Sequence, residues 1–193
     1  MHHKGRATTL SIGDGFEEML LAARAGAPWA FERLYADLAP AVAAYARLQG
    51  SPEPEDLTSE VFLGVFAGLA SFEGTESKFR SWVFTIAHHR LVDERRRLSR
   101  RSFVPTADAD VLDRPGGNAE QDALDKLGRR RVEELCAQLS ADQRAVMLLR
   151  IVGDLTVEQV ATVVGRSPGA VKGLQRRALT SLRKKVAPEG VPL

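Results

Sequence analysis

The chain has 193 residues, 44% of them hydrophobic, with 27 Lys and Arg against 25 Asp and Glu. That is apolar material for one or two buried cores, and no apolar run is long enough to span a bilayer. Cys136 is the single cysteine, which excludes an intrachain disulfide framework or a Cys-rich zinc site. With an N-terminus, MHHKGRATTLSIGDG, that lacks an apolar centre, the expectation is a soluble, cytoplasmic protein.

Asp14 opens a short helix to about Ala25, with Phe16, Met19, Leu20 and Ala23 on one side. Pro28 starts a longer helix to about Leu48, apolar at Phe31, Leu34, Tyr35, Leu38, Val42 and Tyr45. Pro40 should deform or shorten it, because a mid-helix proline removes a hydrogen bond and clashes with the turn before it. Ser51-Pro-Glu-Pro-Glu-Asp marks a turn and the start of a helix to about Ala70. Phe72 to Lys78 reads as a polar loop. Phe79 to Arg97 or beyond is then amphipathic, apolar at Phe79, Trp82, Val83, Ile86, Ala87 and Leu91, with Trp82 expected in the core.

Charge changes sign along the chain. Six arginines (90, 95, 96, 97, 100 and 101) face Asp93 and Glu94, and then six acids (108, 110, 113, 120, 122 and 125) face Arg114 and Lys126. Residues 102–118 hold Pro105, Pro115 and Gly116-Gly117 without periodicity, the composition of a linker. Helices resume near Ala119, run to about Leu139, and restart at Ser140, where Ser140 and Gln143 form a capping box. The layout is all-α: two small helical domains, 1–101 and 119–193, joined by a flexible acidic linker, 102–118.

The last stretch, Leu155 to Lys185, has the form of a helix-turn-helix. Thr156 and Gln159 make a second capping box, and Val157, Val160, Ala161 and Val164 supply an apolar stripe. Gly165-Arg166-Ser167 is a three-residue turn of the length that sets two helices nearly at right angles. Ser167 suits the N-cap and Pro168 the first helical position. Val171, Leu174, Ala178 and Leu182 then face one way; Gly169, Lys172, Gly173, Arg176, Arg177 and Thr180 face the other. Seven cations and no anion lie between Gly165 and Lys185, the electrostatic footprint of a phosphate-binding surface suited to a major groove.

In this order the segments resemble the extracytoplasmic-function (ECF) class of the bacterial sigma-70 family, the smallest transcription initiation factors. Glu55-Asp56-Leu57-Thr58-Ser59-Glu60-Val61-Phe62 looks like region 2.2. Phe79 to Ala87, continuing to Asp93 and Arg96, looks like regions 2.3 and 2.4, and Leu139 to Arg183 looks like region 4. The resemblance covers most of the chain, from about Gly15 to Val186. It implies core RNA polymerase, through its clamp helices and flap, and promoter DNA as partners. An anti-sigma factor is a further partner class it admits.

The resemblance also implies a division of residues. Asp56, Leu57, Glu60, Val61 and Phe62 would meet the clamp helices, although acids in a first turn also suit a helix dipole on their own. Phe72, Glu73, Lys78, His89, Arg90, Asp93, Arg96 and Arg97 would handle the minus-ten element, the loop Phe72–Lys78 receiving a flipped base. Arg166, Ser167, Gly169, Lys172, Gly173, Arg176 and Arg177 would read the minus-thirty-five element, with Lys172 and Arg176 or Arg177 nearest base edges. Asp108, Asp110 and Asp113 of the linker would present charge where RNA later runs. Two departures stand out. Thr85 and Ile86 replace the paired aromatics of housekeeping factors, and His89 stands where many small sigma factors carry asparagine.

Other classes carry less of the sequence. His88 and His89 point about 100° apart on a helix and make poor co-ligands, so no metal is expected. No phosphate-cradling glycine loop, serine elbow or Cys–His pair is present, so neither catalysis nor a cofactor is expected. A stand-alone helix-turn-helix regulator could share the C-terminal half, but the N-terminal half shows neither a βα alternation nor a long heptad.

Overall fold

A computed structural model describes residues 13–101 and 119–186. The expected linker, 102–118, with Asp108, Asp110 and Asp113, lies outside the described residues. The regular elements among the described residues are all helices, with no strand among them.

A 3-10 turn at Gly13–Gly15 leads into α1, Phe16–Arg24, which buries Phe16, Met19, Leu20 and Ala23 as its spacing requires. Helix α2, Pro28–Leu48, runs uninterrupted through Pro40, so the proline does not shorten it. Pro40 is exposed, and the residues on either side of it, Leu38, Ala39, Ala41 and Val42, are all buried. Their packing outweighs a local penalty of about 3 kcal/mol. The lost backbone bond lies along a surface groove lined by Ala36, Pro40, Tyr35 and Thr58.

Helix α3, Pro54–Gly68, starts on Pro54 with Glu55 and Asp56 in its first turn, then tightens into a 3-10 turn at Leu69–Ser71. The following loop is shorter than its composition indicates. Helix α4, Glu76–Arg101, already includes Ser77 and Lys78, because Thr75 accepts from the Lys78 N–H at 3.5 Å and starts the helix early. Phe79, Val83, Phe84, Ala87 and Leu91 of α4 are buried against α2 and α3.

After α5, Ala119–Ala137, the caps read from the sequence are present. Ser140 and Gln143 close a capping box on α6, Ala141–Ile151, and Thr156 and Gln159 close another on α7, Val157–Val164. Val163 rather than Val164 completes the buried face of α7; Val164 is half-buried. Gly165 ends α7 at φ 63°, a left-handed conformation that favours glycine. Ser167 accepts from the Ala170 N–H at 3.2 Å and opens α8, Pro168–Val186. Thr156→Ala should cost about 1 kcal/mol in urea unfolding, since it removes half of a reciprocal cap; a loss below about 0.3 kcal/mol would show the cap to be idle.

Helices α1 to α4 pack on one another, as do α6, α7 and α8. The two groups are not separate, however. Helix α7 lies along α4, and one continuous core runs from Phe16 and Tyr45 through Phe84 to Leu155, Val160 and Val171.

Candidate nucleic-acid interface

The recognition face expected on α8 is open to solvent. Val171, Leu174 and Ala178 are buried against α6 and α7, and this turns Gly169, Lys172, Arg176, Arg177 and Thr180 outward. Gly173 is half-buried; a Cβ there would lie 3.5 Å from Nη1 of Arg177, so that guanidinium folds back along the glycine. Arg166 is tied to Asp142 at 2.5 Å and Ser167 is engaged as a cap, so both serve the turn as well as any ligand. Arg183 and Lys184 extend the exposed cationic surface.

A second face lies on α4. His89, Arg90, Asp93, Arg96 and Arg97 are exposed, while Arg95 turns inward and donates to the Gln49 backbone carbonyl at 2.8 Å. Arg96 and Asp93 sit 3.8 Å apart at exposed positions, a contact of little energetic weight. At the start of α4 the loop is anchored by rings. Phe72 stacks on Trp82 with centroids 5.1 Å apart and an interplanar angle of 20°, and packs edge-on against Phe79. Trp82 is half-buried rather than fully in the core, and a Cβ on Gly68 would come within 2.9 Å of its ring. Phe72 is therefore held from below, while Glu73 and Lys78 are exposed.

The third patch requires a correction. Leu57, Val61 and Phe62 are buried and hold α3 to the core, so they cannot meet a partner's surface. The outward residues of α3 include Asp56, Glu60 and Leu63, the last 71% exposed. Leu63 was missed because the motif drew attention to the residues before it. The helical spacing of 57, 61 and 65 would have placed it outside. Arg90 lies 4.0 Å from Glu60, and a groove between α3 and α4 is lined by Asp56, Glu60, Arg90, Glu94, Arg97 and Leu98. The acidic patch of α3 and the cationic face of α4 thus share one edge.

His88 and His89 do not act together. His88 is half-buried, with Nδ1 2.9 Å from the Tyr45 hydroxyl, and His89 points to solvent. Burial lowers His88 to about 4, with His89 and Arg95 adding repulsion and Asp142 opposing it. Burial raises the Tyr45 phenol above its ordinary value. The phenol therefore donates to Nδ1, and neutral His88 carries its proton on Nε2. Below about pH 6.5 the unfolded chain binds a proton that the folded chain does not, so stability falls with pH through the window from 6.5 to 4. Urea unfolding should lose about 2 kcal/mol between pH 7 and pH 5, and His88→Gln should remove that part of the slope. An unchanged slope in the variant would contradict this assignment. Among the described residues no group of three His, Cys, Asp or Glu side chains could hold a metal ion, and no helix is long and apolar enough to cross a membrane.

Comparison with known proteins follows the same layout. The family description "Sigma-70 region 2" matches residues 34–101, and "Sigma-70, region 4" matches residues 129–182. The chain is 34% identical over 132 residues to the ECF RNA polymerase sigma factor ShbA of Streptomyces griseus, the match covering 67% of this chain and 69% of ShbA. It is 31% identical over 172 residues to the ECF sigma factor BldN of Streptomyces coelicolor; there the match covers 86% of this chain but 64% of BldN. Among solved structures, CnrH in complex with the cytosolic domain of CnrY aligns with a TM-score of 0.66 at 23% identity, covering 92% of this chain and all of CnrH. At that identity the likeness establishes the fold.

Proposed function

The chain belongs to the ECF class of the sigma-70 family of RNA polymerase sigma factors, and from that membership we propose how its surfaces divide the work of initiation. It joins core polymerase and directs it to promoters. The exposed face of α4, with the loop anchored on Trp82 and Phe79, takes the minus-ten element, and the exposed face of α8 takes the minus-thirty-five element. Residues 1–101 and 119–193 are the two working units, with 102–118 as the tether. The polymerase supplies the catalysis, so this chain is not itself an enzyme, and it works in the cytoplasm beside the polymerase.

The observation that carries this reading is the pairing of two outward cationic helix faces on separate helices, each on a segment that matches a DNA-reading region of the family. Asp56 and Glu60, flanked by Leu63, offer carboxylates and an apolar side chain to the clamp helices, and the flap is the second contact on core polymerase. CnrH is in complex with the cytosolic domain of CnrY, and the sigma factor RpoE of Bartonella quintana with the anti-sigma factor NepR; an anti-sigma factor is accordingly a partner class for this chain.

Capture on immobilised core polymerase tests the docking half of the proposal. The wild-type chain should be retained, and Asp56→Lys combined with Glu60→Lys should weaken retention about tenfold or more, since like charges would then face a cationic partner. Both side chains are exposed, so the fold should survive. Equal retention of the variant would remove α3 from the interface, and a wild-type chain that ignores polymerase would point to a free-standing DNA-binding regulator.

A further inference from the structure

Helix α4 outruns the core that holds it. Its last buried apolar side chain is Leu91, yet the helix continues to Arg101. Apolar packing therefore stops short of Asp93, Arg96 and Arg97, the distal part of its exposed face. Two polar contacts take over, both made to the end of α2. That helix closes in a Schellman turn: the N–H of Gly50, at φ 85°, donates to the Arg47 carbonyl at 2.9 Å, and the Ser51 N–H donates to the Ala46 carbonyl at 3.0 Å. The turn leaves the Gln49 carbonyl, at the negative end of the helix dipole, with no backbone donor among the described residues. Arg95 supplies one. Its Nη2 donates to that carbonyl at 2.8 Å and also to Oε1 of the same glutamine. Gln49 is 3% exposed, so both acceptors are largely withdrawn from water. Beside them, the Ser51 hydroxyl donates to the Glu94 carboxylate at 3.0 Å.

A residue pinned on one side of a helix sets the direction of its neighbours. Asp93 and Arg97, two places either side of Arg95, lie about 160° around the axis from it, on the opposite face. We propose that Arg95 is a positioning residue for promoter engagement. Seated in the C-terminal cap of α2, it fixes the phase of the distal half of α4 and so presents Arg96 and Arg97 to the minus-ten duplex, without touching DNA itself. The Ser51–Glu94 hydrogen bond is the second tie. Counted by charge alone, Arg95 belongs with the phosphate contacts around it; its guanidinium is instead engaged by a helix terminus, whose partial negative charge suits a cation. The tie matters because a guanidinium finds a phosphate only along a defined direction, and nothing apolar sets that direction beyond Leu91. This inference rests on the reading of the exposed face of α4 as the minus-ten surface.

Local order and DNA binding are measured separately. With Cys136→Ser as background, a dye on Ser99→Cys reports motion of the distal half of α4 in the full chain by anisotropy decay. A dye on Ala67→Cys of α3 is the reference, and both positions are exposed. Undyed chains assembled with core polymerase are then titrated with a forked minus-ten duplex at two salt concentrations. Arg95→Leu should increase local motion at residue 99 but not at 67, and weaken duplex binding about tenfold, the worth of one hydrogen bond to a charged group. Ser51→Ala changes no charge and should move both readings the same way, by about threefold in binding; it carries the test if Arg95→Leu unfolds the chain. Arg95→Lys keeps the charge and a donor, and should restore part of each reading. Unchanged motion at residue 99 in both Arg95→Leu and Ser51→Ala would overturn the tie. Greater motion with wild-type binding would overturn its role in presenting the arginines. Weaker binding in Arg95→Leu alone, full recovery in Arg95→Lys and a salt slope lower by about one would make Arg95 a phosphate contact, and the proposal would fall. A wild-type complex that ignores the duplex would instead remove the minus-ten assignment of α4, an outcome read from the wild type alone.

Discussion

Phe79→Ala should destabilise the fold by about 3–5 kcal/mol, the usual cost of truncating a fully buried phenylalanine. Phe79 has no exposed surface, and its ring lies 5.6 Å from that of Phe16, 5.2 Å from Phe72 and 5.8 Å from Trp82. The effect reaches beyond stability, because Phe72 heads the loop proposed to receive a flipped base and rests on Phe79 and Trp82. Phe79→Leu separates the two consequences. It should restore most of the packing while leaving the edge-on ring contact unmade, a difference of about 0.5–1.5 kcal/mol. Chemical unfolding together with minus-ten oligonucleotide binding by the polymerase complex would check both. If Phe79→Leu binds the oligonucleotide as the wild type does, the ring contact has no part in shaping the loop.

Arg176→Ala and Arg177→Ala should each weaken promoter recognition by about 1–3 kcal/mol and relax preference at single positions of the minus-thirty-five element. Both side chains leave α8 on the face opposite Val171 and Ala178. Arg183→Ala and Lys184→Ala supply the contrast. Farther along the helix, they should weaken binding evenly across sequences and lower its salt dependence, as phosphate contacts do. Arg166→Ala should do less than any of these, because its guanidinium is already bonded to Asp142. Binding to duplexes with single substitutions in the element, at two salt concentrations, distinguishes the classes. Uniform weakening by Arg176→Ala and Arg177→Ala would move base reading to another part of the helix.

The features legible in the sequence were those fixed by local chemistry. A hydroxyl followed three residues later by glutamine is a complete capping signal, and Ser140–Gln143 and Thr156–Gln159 fold as it requires. Gly165 before Arg-Ser-Pro left little choice of turn, and the phase of α8 follows from Val171, Leu174 and Ala178. Where competing local signals overlapped, the reading slipped. Thr75 is a helix start that the polar look of Glu76 to Lys78 concealed, and Val163 and Val164 are indistinguishable by type. Pro40 misled in the other direction: a local rule was overridden by four buried neighbours whose partners lie on other helices. Least legible was the packing of α7 on α4. Ser77 and Gln159, hydrogen-bonded across that contact, are 82 residues apart, and nothing in either short motif announces the other. Leu57, Val61 and Phe62 were set on a surface where Asp56, Glu60 and Leu63 stand, although the helical spacing of 57, 61 and 65 marks the buried side.

The most direct test of the central claim is run-off transcription with core polymerase on a library of bacterial genomic fragments, with the start sites mapped. Adding the chain should produce discrete start sites whose upstream sequences share two elements, and transcripts should decline with Arg176→Ala, Arg177→Ala and the Asp56→Lys, Glu60→Lys variant. A chain that binds duplex DNA yet gives core polymerase no new start site would contradict its assignment as the promoter-selecting subunit.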